Sequence, residues 1–314
     1  MAQNLYAGID LGTGSLRMAI GHLDAEGLVV LDEKFQHIHA IGQDLQKGNT
    51  LNEATMNDVV HAFRQCAELC EKYKVAGITA VATESVRRAA NGKELLARVQ
   101  REAGIALQVI DGKEELRLSL LGNRQFLAEH AAVLFADSGG GSTEVALVNG
   151  ETLDFATWAS LPLGCHLLAS GLYDDDVTSP EQFFALHADI LDAFRKQLAT
   201  WQYAQDGHTL VIAGAPGHLL RYLNQSSHEE NREFAGQWVS RDEVETAGLE
   251  MCKIGLKGRS NHPYINVAGA YLLVPAAAKT LALMDAGGFT EARLIPSGIT
   301  HGLIIDAAER HQNG

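Results

Sequence analysis

Apolar runs of strand length alternate along this chain with longer segments whose apolar positions recur at helical spacing. Short runs ending at Asp10 and at Asp137 predict strands, and each is followed by a glycine-rich turn and a second apolar run. Over 52–74 the apolar side chains follow helical periodicity, which predicts a helix with Asn52 as its cap. Alternation of strands and helices is typical of α/β proteins.

Shorter patterns complete this outline. The remaining predicted elements are strands over 78–82, 107–110 and 210–213 and helices over 94–103 and from 111 to about 127. Ser179 predicts the start of another helix because a proline follows it, and Ser240 with Glu243 predicts one more. Asp111 and Glu114 also have capping-box spacing, so their carboxylates are expected to satisfy free N–H groups there.

The two strand–turn–strand segments resemble each other, which predicts two related halves. Each reads as an apolar strand ending in an aspartate, Asp10 or Asp137, followed by a turn of glycine with serine or threonine and a second strand. The best boundary lies near Asn123. We therefore predict a first domain over 1–123 and a second over 124–314, with the last helix able to pack back on the first domain.

The composition is that of an ordinary soluble globular protein and excludes several classes. Apolar residues make up 46% and charged residues 20%, and 39 acidic against 25 basic residues give a net charge of −14. Nucleic-acid binding requires a basic face, so this charge argues against it. The longest charge-free apolar stretch, 263–278, is shorter than the ~20 residues of a membrane span. With no secretion signal visible, we expect a cytoplasmic protein with no membrane partner and four structural thiols.

The glycine turns point to phosphate chemistry, because backbone N–H groups and short hydroxyls can cradle a phosphate where no Cβ blocks its approach. The candidate phosphate-binding residues are Thr13, Gly14 and Ser15 in the first glycine turn (12–15) and Gly139, Gly140, Gly141, Ser142 and Thr143 in the second (139–143). A carboxylate beside phosphate is repulsive without an intervening cation, so Asp10 and Asp137 suggest Mg²⁺. The alternative is that both are plain hairpin turns with acids as local caps.

Other charged residues have both a functional and a structural interpretation. Glu144 follows the second glycine turn and is either a further metal-binding carboxylate or an ordinary exposed strand residue. Helix capping accounts for Glu114 and leaves Glu115 as a candidate general base. Arg87 and Arg88 either bind phosphate oxygens as bidentate forks or form a solvated pair.

These motifs resemble, in order and approximate spacing, those of the Ppx/GppA family of exopolyphosphatases and guanosine pentaphosphate phosphohydrolases. The resemblance extends from Asp10 to about Ile305, and its segments are 10–15, 83–87, 112–118, 137–144 and 161–165. It implies a duplicated α/β fold of the actin-like (ribonuclease H-like) type, with two domains and an active site in the cleft between them. It also implies the short form of the family, without the C-terminal helical domain.

The resemblance further implies Mg²⁺-dependent hydrolysis of terminal phosphoanhydride bonds in inorganic polyphosphate or guanosine pentaphosphate. Glu115 matches the carboxylate that activates water, and Arg87 matches an arginine at the phosphate. Asp137 and Glu144 match acids of the metal and water site, which together with Asp10 form the predicted set of metal ligands. The two glycine turns match the phosphate loops, and a homodimer is a further expectation from the family.

Several positions depart from the family pattern and keep other functions open. Gly14 replaces the usual asparagine, and the third turn, 214–217, lacks the usual hydroxyl-bearing residues. Near the C-terminus, 300–302 reads Thr-His-Gly where the family often has Arg-Glu-Gly. One alternative is a non-catalytic actin-like module that binds a nucleotide or alarmone and regulates a partner. A phosphotransferase of the same superfold is another, although the match at Glu115 favours water as the acceptor.

Overall fold

The computed structural model describes residues 4–170, 179–201, 203, 207–225, 236–265 and 267–313, and its contacts divide the chain into two units. The first unit comprises Met1–Gln125 together with Gly298–Gly314, and the second comprises Phe126–Ser297. The C-terminal residues thus belong with the first half of the chain.

The described residues form eleven strands and twelve helices. The strands are β1 Tyr6–Leu11, β2 Ser15–Leu23, β3 Val29–Ile38, β4 Gly77–Ala82, β5 Leu107–Val109, β6 Val133–Ser138, β7 Thr143–Val148, β8 Thr157–Leu161, β9 Thr209–Gly214, β10 Gln237–Ser240 and β11 Glu291–Ile295. The helices are α1 Ile41–Lys47, α2 Glu53–Tyr73, α3 Glu84–Arg88, α4 Gly92–Ala103, α5 Gly112–Gly122, α6 Arg124–Leu127, α7 Cys165–Ser170, α8 Pro180–Thr200, α9 Gly217–Leu223, α10 Arg241–Ser260, α11 Val267–Gly287 and α12 Thr300–Asn313. None of these helices is long and apolar enough to cross a membrane.

The two sheets repeat one strand order. The first sheet runs β3-β2-β1-β4-β5, with β1, β2 and β3 antiparallel and β4 and β5 continuing parallel to β1. The second runs β8-β7-β6-β9-β11 in the same pattern and adds β10, antiparallel to β11, at its edge. The predicted actin-like α/β fold with two related halves is therefore confirmed.

Capping side chains begin the helices where the sequence predicts them. The Asn52 side chain accepts a hydrogen bond from Thr55 N–H over 2.8 Å at the start of α2. Ser179 begins α8 and Ser240 begins α10, both with reciprocal capping boxes. At α5 one of the two hydrogen bonds of the predicted capping box forms: the Asp111 side chain accepts from the N–H of Glu114, the third helical residue.

The predicted helix from 111 to about 127 is interrupted at Asn123, because α5 stops at Gly122 and the short helix α6 follows over Arg124–Leu127. The Asn123 side chain donates to Ser119 O over 2.8 Å and so satisfies a carbonyl of the last turn. Helix α5 packs closely against α12, and two glycines, one on each helix, allow this close approach. A Cβ on Gly122 would lie 2.5 Å from Gly302 N, and one on Gly302 would lie 1.9 Å from Leu118 O.

Each unit has its own apolar core. In the first unit the core lies between the sheet and helices α2 and α4, while α12 packs against β1, β4 and α5. In the second unit α8, α10 and α11 cover the sheet. The four cysteines are buried thiols that form no disulfide. Cys66 and Cys70 lie in the first core, Cys252 lies in the second, and Cys165 lies in a small separate cluster. Because β1 and β6 are buried near the middle of their sheets, the turns that follow them start from rigid strands.

Candidate active site

The first glycine turn is held in place by contacts within the first unit. Gly42 N–H donates to Thr13 O over 2.9 Å. His39 N–H donates to Gly14 O over 3.2 Å. The buried Thr13 hydroxyl is hydrogen-bonded to the Ser85 hydroxyl. The turn therefore has a defined shape, and the Thr13 hydroxyl is engaged inside the protein.

Asp10 lies near the end of β1, just before the first glycine turn, and is partly exposed. In the β1–β2 register it is paired with Arg17 of β2. Side chains directly opposite each other in an antiparallel pair lie on the same face of the sheet. A positive side chain therefore stands opposite Asp10.

Arg87 is anchored at the entrance to the helix that carries Glu115. Its exposed guanidinium donates through Nη1 to Ile110 O over 2.5 Å, two residues before α5 begins. Glu115 is 8% exposed in the first turn of α5. Arg88, in contrast, forms an ion pair with Glu84 over 3.0 Å at the protein surface. Of the two interpretations of the arginine pair, solvent exposure therefore applies to Arg88.

The second glycine turn is supported from below by the segment after β8. Cys165 N–H donates to Gly139 O over 3.0 Å, and His166 N–H donates to Gly140 O over 2.9 Å. A Cβ on Gly164 would lie 2.1 Å from Gly140 O, so only glycine permits this approach. The segment 161–165, which the sequence associates with the family, thus determines the shape of the turn.

Two buried carboxylates flank the second glycine turn. Asp137 and Glu144 are directly paired in the β6–β7 register and are 5% and 0% exposed. Burial raises the pKa of Glu144 to about 7, and the negative charge of Asp137 acts in the same direction. Ser160 Oγ opposes this shift by donating to Glu144 Oε1 over 2.7 Å. The alternative of an ordinary exposed strand residue is therefore wrong for Glu144.

The third turn lies against the end of β6 in the second unit. Gly214 has a left-handed φ of +88°, and a Cβ there would lie 3.0 Å from Asp137 Oδ1 and 2.8 Å from Ser138 O. Ala215 N–H donates to Ser138 O over 2.9 Å. Glycine is required here because a side chain would collide with the main chain of β6 and with the Asp137 carboxylate.

One residue of this site was missed by the sequence analysis. Lys279 of α11 is buried, and its Nζ donates to Thr143 Oγ1 and to Leu163 O, each over 2.8 Å. A signal was available, because Lys279 is the only lysine or arginine between Arg259 and Arg293, inside an apolar helical segment.

The second unit thus combines a rigid glycine turn with a buried acid pair and a buried lysine, and the first unit has a related turn. A model of the Ppx/GppA phosphatase family matches residues 24–311. The chain belongs to this family.

Relatives extend over almost the whole chain. An uncharacterized protein of Streptomyces coelicolor is 30% identical over 309 residues, which cover 95% of this chain and 88% of that protein. The crystal structure of the Aquifex aeolicus Ppx/GppA family member aligns with a TM-score of 0.81 at 22% identity and covers 100% of both chains. An exopolyphosphatase from Cytophaga hutchinsonii aligns with a TM-score of 0.82 at 18% identity, over 96% of this chain and 98% of that one. The two structural matches show a shared fold.

Membership in the Ppx/GppA family raises the question of where a divalent metal would bind. Within the described residues no group of three or more His, Cys, Asp or Glu side chains is arranged to hold one. Mg²⁺ is usually bound by only one or two carboxylates together with phosphate oxygens and water. Asp137 and Glu144 fit that pattern, because a cation would offset two acidic side chains buried opposite each other. Asp10 fits it less well, because Arg17 stands opposite it in the sheet.

Proposed function

We propose that this protein hydrolyses the terminal phosphoanhydride bond of inorganic polyphosphate, of guanosine pentaphosphate, or of both, in a Mg²⁺-dependent reaction. The observation that carries the proposal is the second glycine turn, flanked by the buried carboxylates of Asp137 and Glu144. Membership in a phosphatase family supports the same chemistry. Phosphoryl transfer depends mainly on positioning and charge stabilisation, and a rigid turn beside a buried acid pair is suited to both.

The terminal phosphoryl group would bind at the second glycine turn through backbone N–H groups, with Ser142 and Thr143 at its C-terminal end. The first glycine turn would provide a similar set of N–H groups. Mg²⁺, held by Asp137 with Glu144 nearby, would supply charge neutralisation of the phosphoryl oxygens. The Arg87 guanidinium, anchored to Ile110 O through one nitrogen, has further donors for a phosphate oxygen.

Glu115 would act as the general base. Its carboxylate would take one proton from a water molecule as the water oxygen forms a bond to the terminal phosphorus. The bridging P–O bond then breaks, and the shortened chain leaves with the electron pair on its terminal oxygen. Orthophosphate is the second product. The position of Glu115 in the first turn of α5, largely shielded from solvent, is suited to a base of fixed orientation.

The test is Mg²⁺-dependent phosphate release from long-chain polyphosphate and from guanosine pentaphosphate, measured side by side. Glu115→Gln is expected to lose about 10²–10⁴-fold in kcat, the usual contribution of a general base. Glu114→Gln is the matched control, because Glu114 is the preceding residue of the same helix and binds Arg117 instead. If the wild-type protein releases phosphate from neither substrate, the proposal is contradicted. Full activity of Glu115→Gln would contradict the role of Glu115.

The structure of the third turn favours one alternative function, a non-catalytic module that binds a nucleotide. Gly214 lies against Asp137, and residues 214–217 carry no hydroxyl group. Tight binding of guanosine pentaphosphate by the wild-type protein, without turnover, would favour that alternative.

A further inference from the structure

Lys279 is a buried cation in an apolar part of α11. Its side chain is 3% exposed, and Ala276, Ala277, Ala278 and Leu281 around it in sequence are fully buried. Burying an ammonium group is unfavourable unless its donors find acceptors. The contacts of Lys279 therefore indicate what this position does.

Those contacts all go to the second glycine turn and the segment beneath it. Lys279 Nζ lies 2.8 Å from Thr143 Oγ1, 2.8 Å from Leu163 O and 3.5 Å from Gly139 O. Thr143 Oγ1 in turn donates to Leu163 O over 2.9 Å. An ammonium group has three N–H donors and no acceptor. These three oxygens therefore match the number of its donors.

We propose that Lys279 is a positioning residue for phosphate binding at the second glycine turn. Its ammonium group joins Gly139 and Thr143, the first and last residues of the turn, to the carbonyl of Leu163 and so fixes the curvature of the turn. The inference rests on the proposed function in one respect, namely that phosphate binds at this turn. It adds a residue to that site and assigns it a role.

The charge of Lys279 contributes as well as its hydrogen bonds. A buried positive charge on the inner side of the turn favours an anion on the outer side, because the protein interior screens charges weakly. The same charge acts on Glu144 and lowers its pKa against the effect of burial. A neutral side chain of similar length would fill the space but would supply neither effect.

The first test compares Lys279→Met with Thr280→Val in the full-length protein. Methionine keeps most of the volume of lysine, and replacing a buried charge by an apolar group of similar volume is often tolerated. Thr280 is the next residue of α11, equally buried, and its hydroxyl has no hydrogen-bond partner among the described residues, so it is a matched control. The binding probe is methylenediphosphonate with Mg²⁺, a phosphoanhydride analogue whose P–C–P bridge is not hydrolysed. Calorimetry gives its Kd, and amide hydrogen exchange reports on 139–143 and 161–166.

Lys279→Met is expected to weaken binding of the probe about 10–10²-fold, the size of effect that a misplaced binding group produces. Exchange at 139–143 and 161–166 should become faster, while Thr280→Val should leave binding and exchange unchanged. If Lys279→Met folds and binds the probe as tightly as the wild type, the inference is overturned, even if exchange is faster.

A second pair of variants covers the case in which Lys279→Met does not fold. Lys279→Arg keeps the positive charge and the donors that face Thr143 Oγ1 and Leu163 O, whereas Lys279→Gln removes the charge. The arginine variant should bind the probe more tightly than the glutamine variant. Equal or tighter binding by the glutamine variant would overturn the inference.

The experiment separates this inference from the proposed function. If the wild-type protein releases no phosphate from either substrate but Lys279→Met still loses affinity for methylenediphosphonate, hydrolysis is contradicted and the role of Lys279 is supported. If the wild-type protein hydrolyses a substrate and Lys279→Met binds the probe normally, hydrolysis is supported and the role of Lys279 is contradicted.

Discussion

Asp137 and Glu144 are paired directly across the β6–β7 hairpin, two buried acids at the two ends of one glycine turn. The related hairpin of the first unit has Asp10 and Arg17 at the corresponding positions. The duplicated fold therefore carries an opposite-charge pair in one half and a like-charge pair in the other. A like-charge pair is destabilising by itself, which is expected where a cation and a phosphate complete the site.

Removing one of the two acids is expected to raise stability and lower activity. In metal-free buffer at pH 8, Glu144→Gln removes a buried charge that burial and Asp137 both disfavour. Its melting temperature should rise, by about 2–4 °C for each kcal/mol gained. Mg²⁺-dependent phosphate release should fall by about 10²-fold, as when one charge-stabilising group is lost. Scanning calorimetry with a phosphate assay measures both quantities, and a lower melting temperature with full activity would contradict this prediction.

The glycine beneath the second turn is expected to tolerate no side chain. A Cβ on Gly164 would lie 2.1 Å from Gly140 O and 2.3 Å from Gly141 C, so the backbone of the turn must move. Gly164→Ala should cost about 1–3 kcal/mol of unfolding free energy, the usual range for overpacking, and should raise KM for the phosphate substrate. Urea unfolding and steady-state kinetics provide the measurements.

Gly48→Ala is the control for that substitution. Gly48 has an extended backbone, with φ −177°, and a Cβ would meet no atom within 4 Å. It should be neutral in both assays. An equal effect of the two alanine variants would show that the close approach at Gly164 is unimportant.

The ion pairs of α12 should contribute unequally to stability. Asp306 is buried and accepts from Thr79 Oγ1 and Arg117 Nη2, each over 3.1 Å. It also pairs with the exposed Arg310 over 2.7 Å. Asp306→Ala leaves the buried Thr79 hydroxyl without its acceptor and should cost about 1–3 kcal/mol, although the partly exposed Arg117 keeps its bonds to Glu114. Arg310→Ala removes only an exposed partner and should cost less than about 1 kcal/mol. Urea unfolding of both variants tests this order, and a larger loss for Arg310→Ala would contradict it.

The thiols of α2 should react slowly in the folded protein. Burial raises the pKa of Cys66 to about 12 and that of Cys70 to about 11, and the thiolate is the reactive form. A thiol reagent such as Ellman's reagent at pH 8 should label neither residue in native buffer and both in urea. Labelling of Cys66 or Cys70 in the native protein at the rate of an exposed thiol would show that α2 opens readily.

Much of the fold followed from local patterns in the sequence. The two strand–turn–strand segments, the start of α2 at Asn52 and the capping boxes at Ser179 and Ser240 depend on residues that are neighbours along the chain. Backbone conformation and capping are local interactions, so the residue types and their spacing were sufficient to predict them. The two glycine turns and the acid before each were found for the same reason.

Tertiary structure decided what those residues contact. Three features depend on residues that are far apart in sequence. They are the full burial of Glu144, the end of α5 at Gly122, and the hydrogen bonds from Lys279 to Thr143 and Leu163. Local patterns carry no information about such partners, because they are selected by how helices and sheets pack. The sequence by itself therefore determined the two turns and their acids, whereas packing alone placed a buried lysine under the second turn and buried the two acids at its ends.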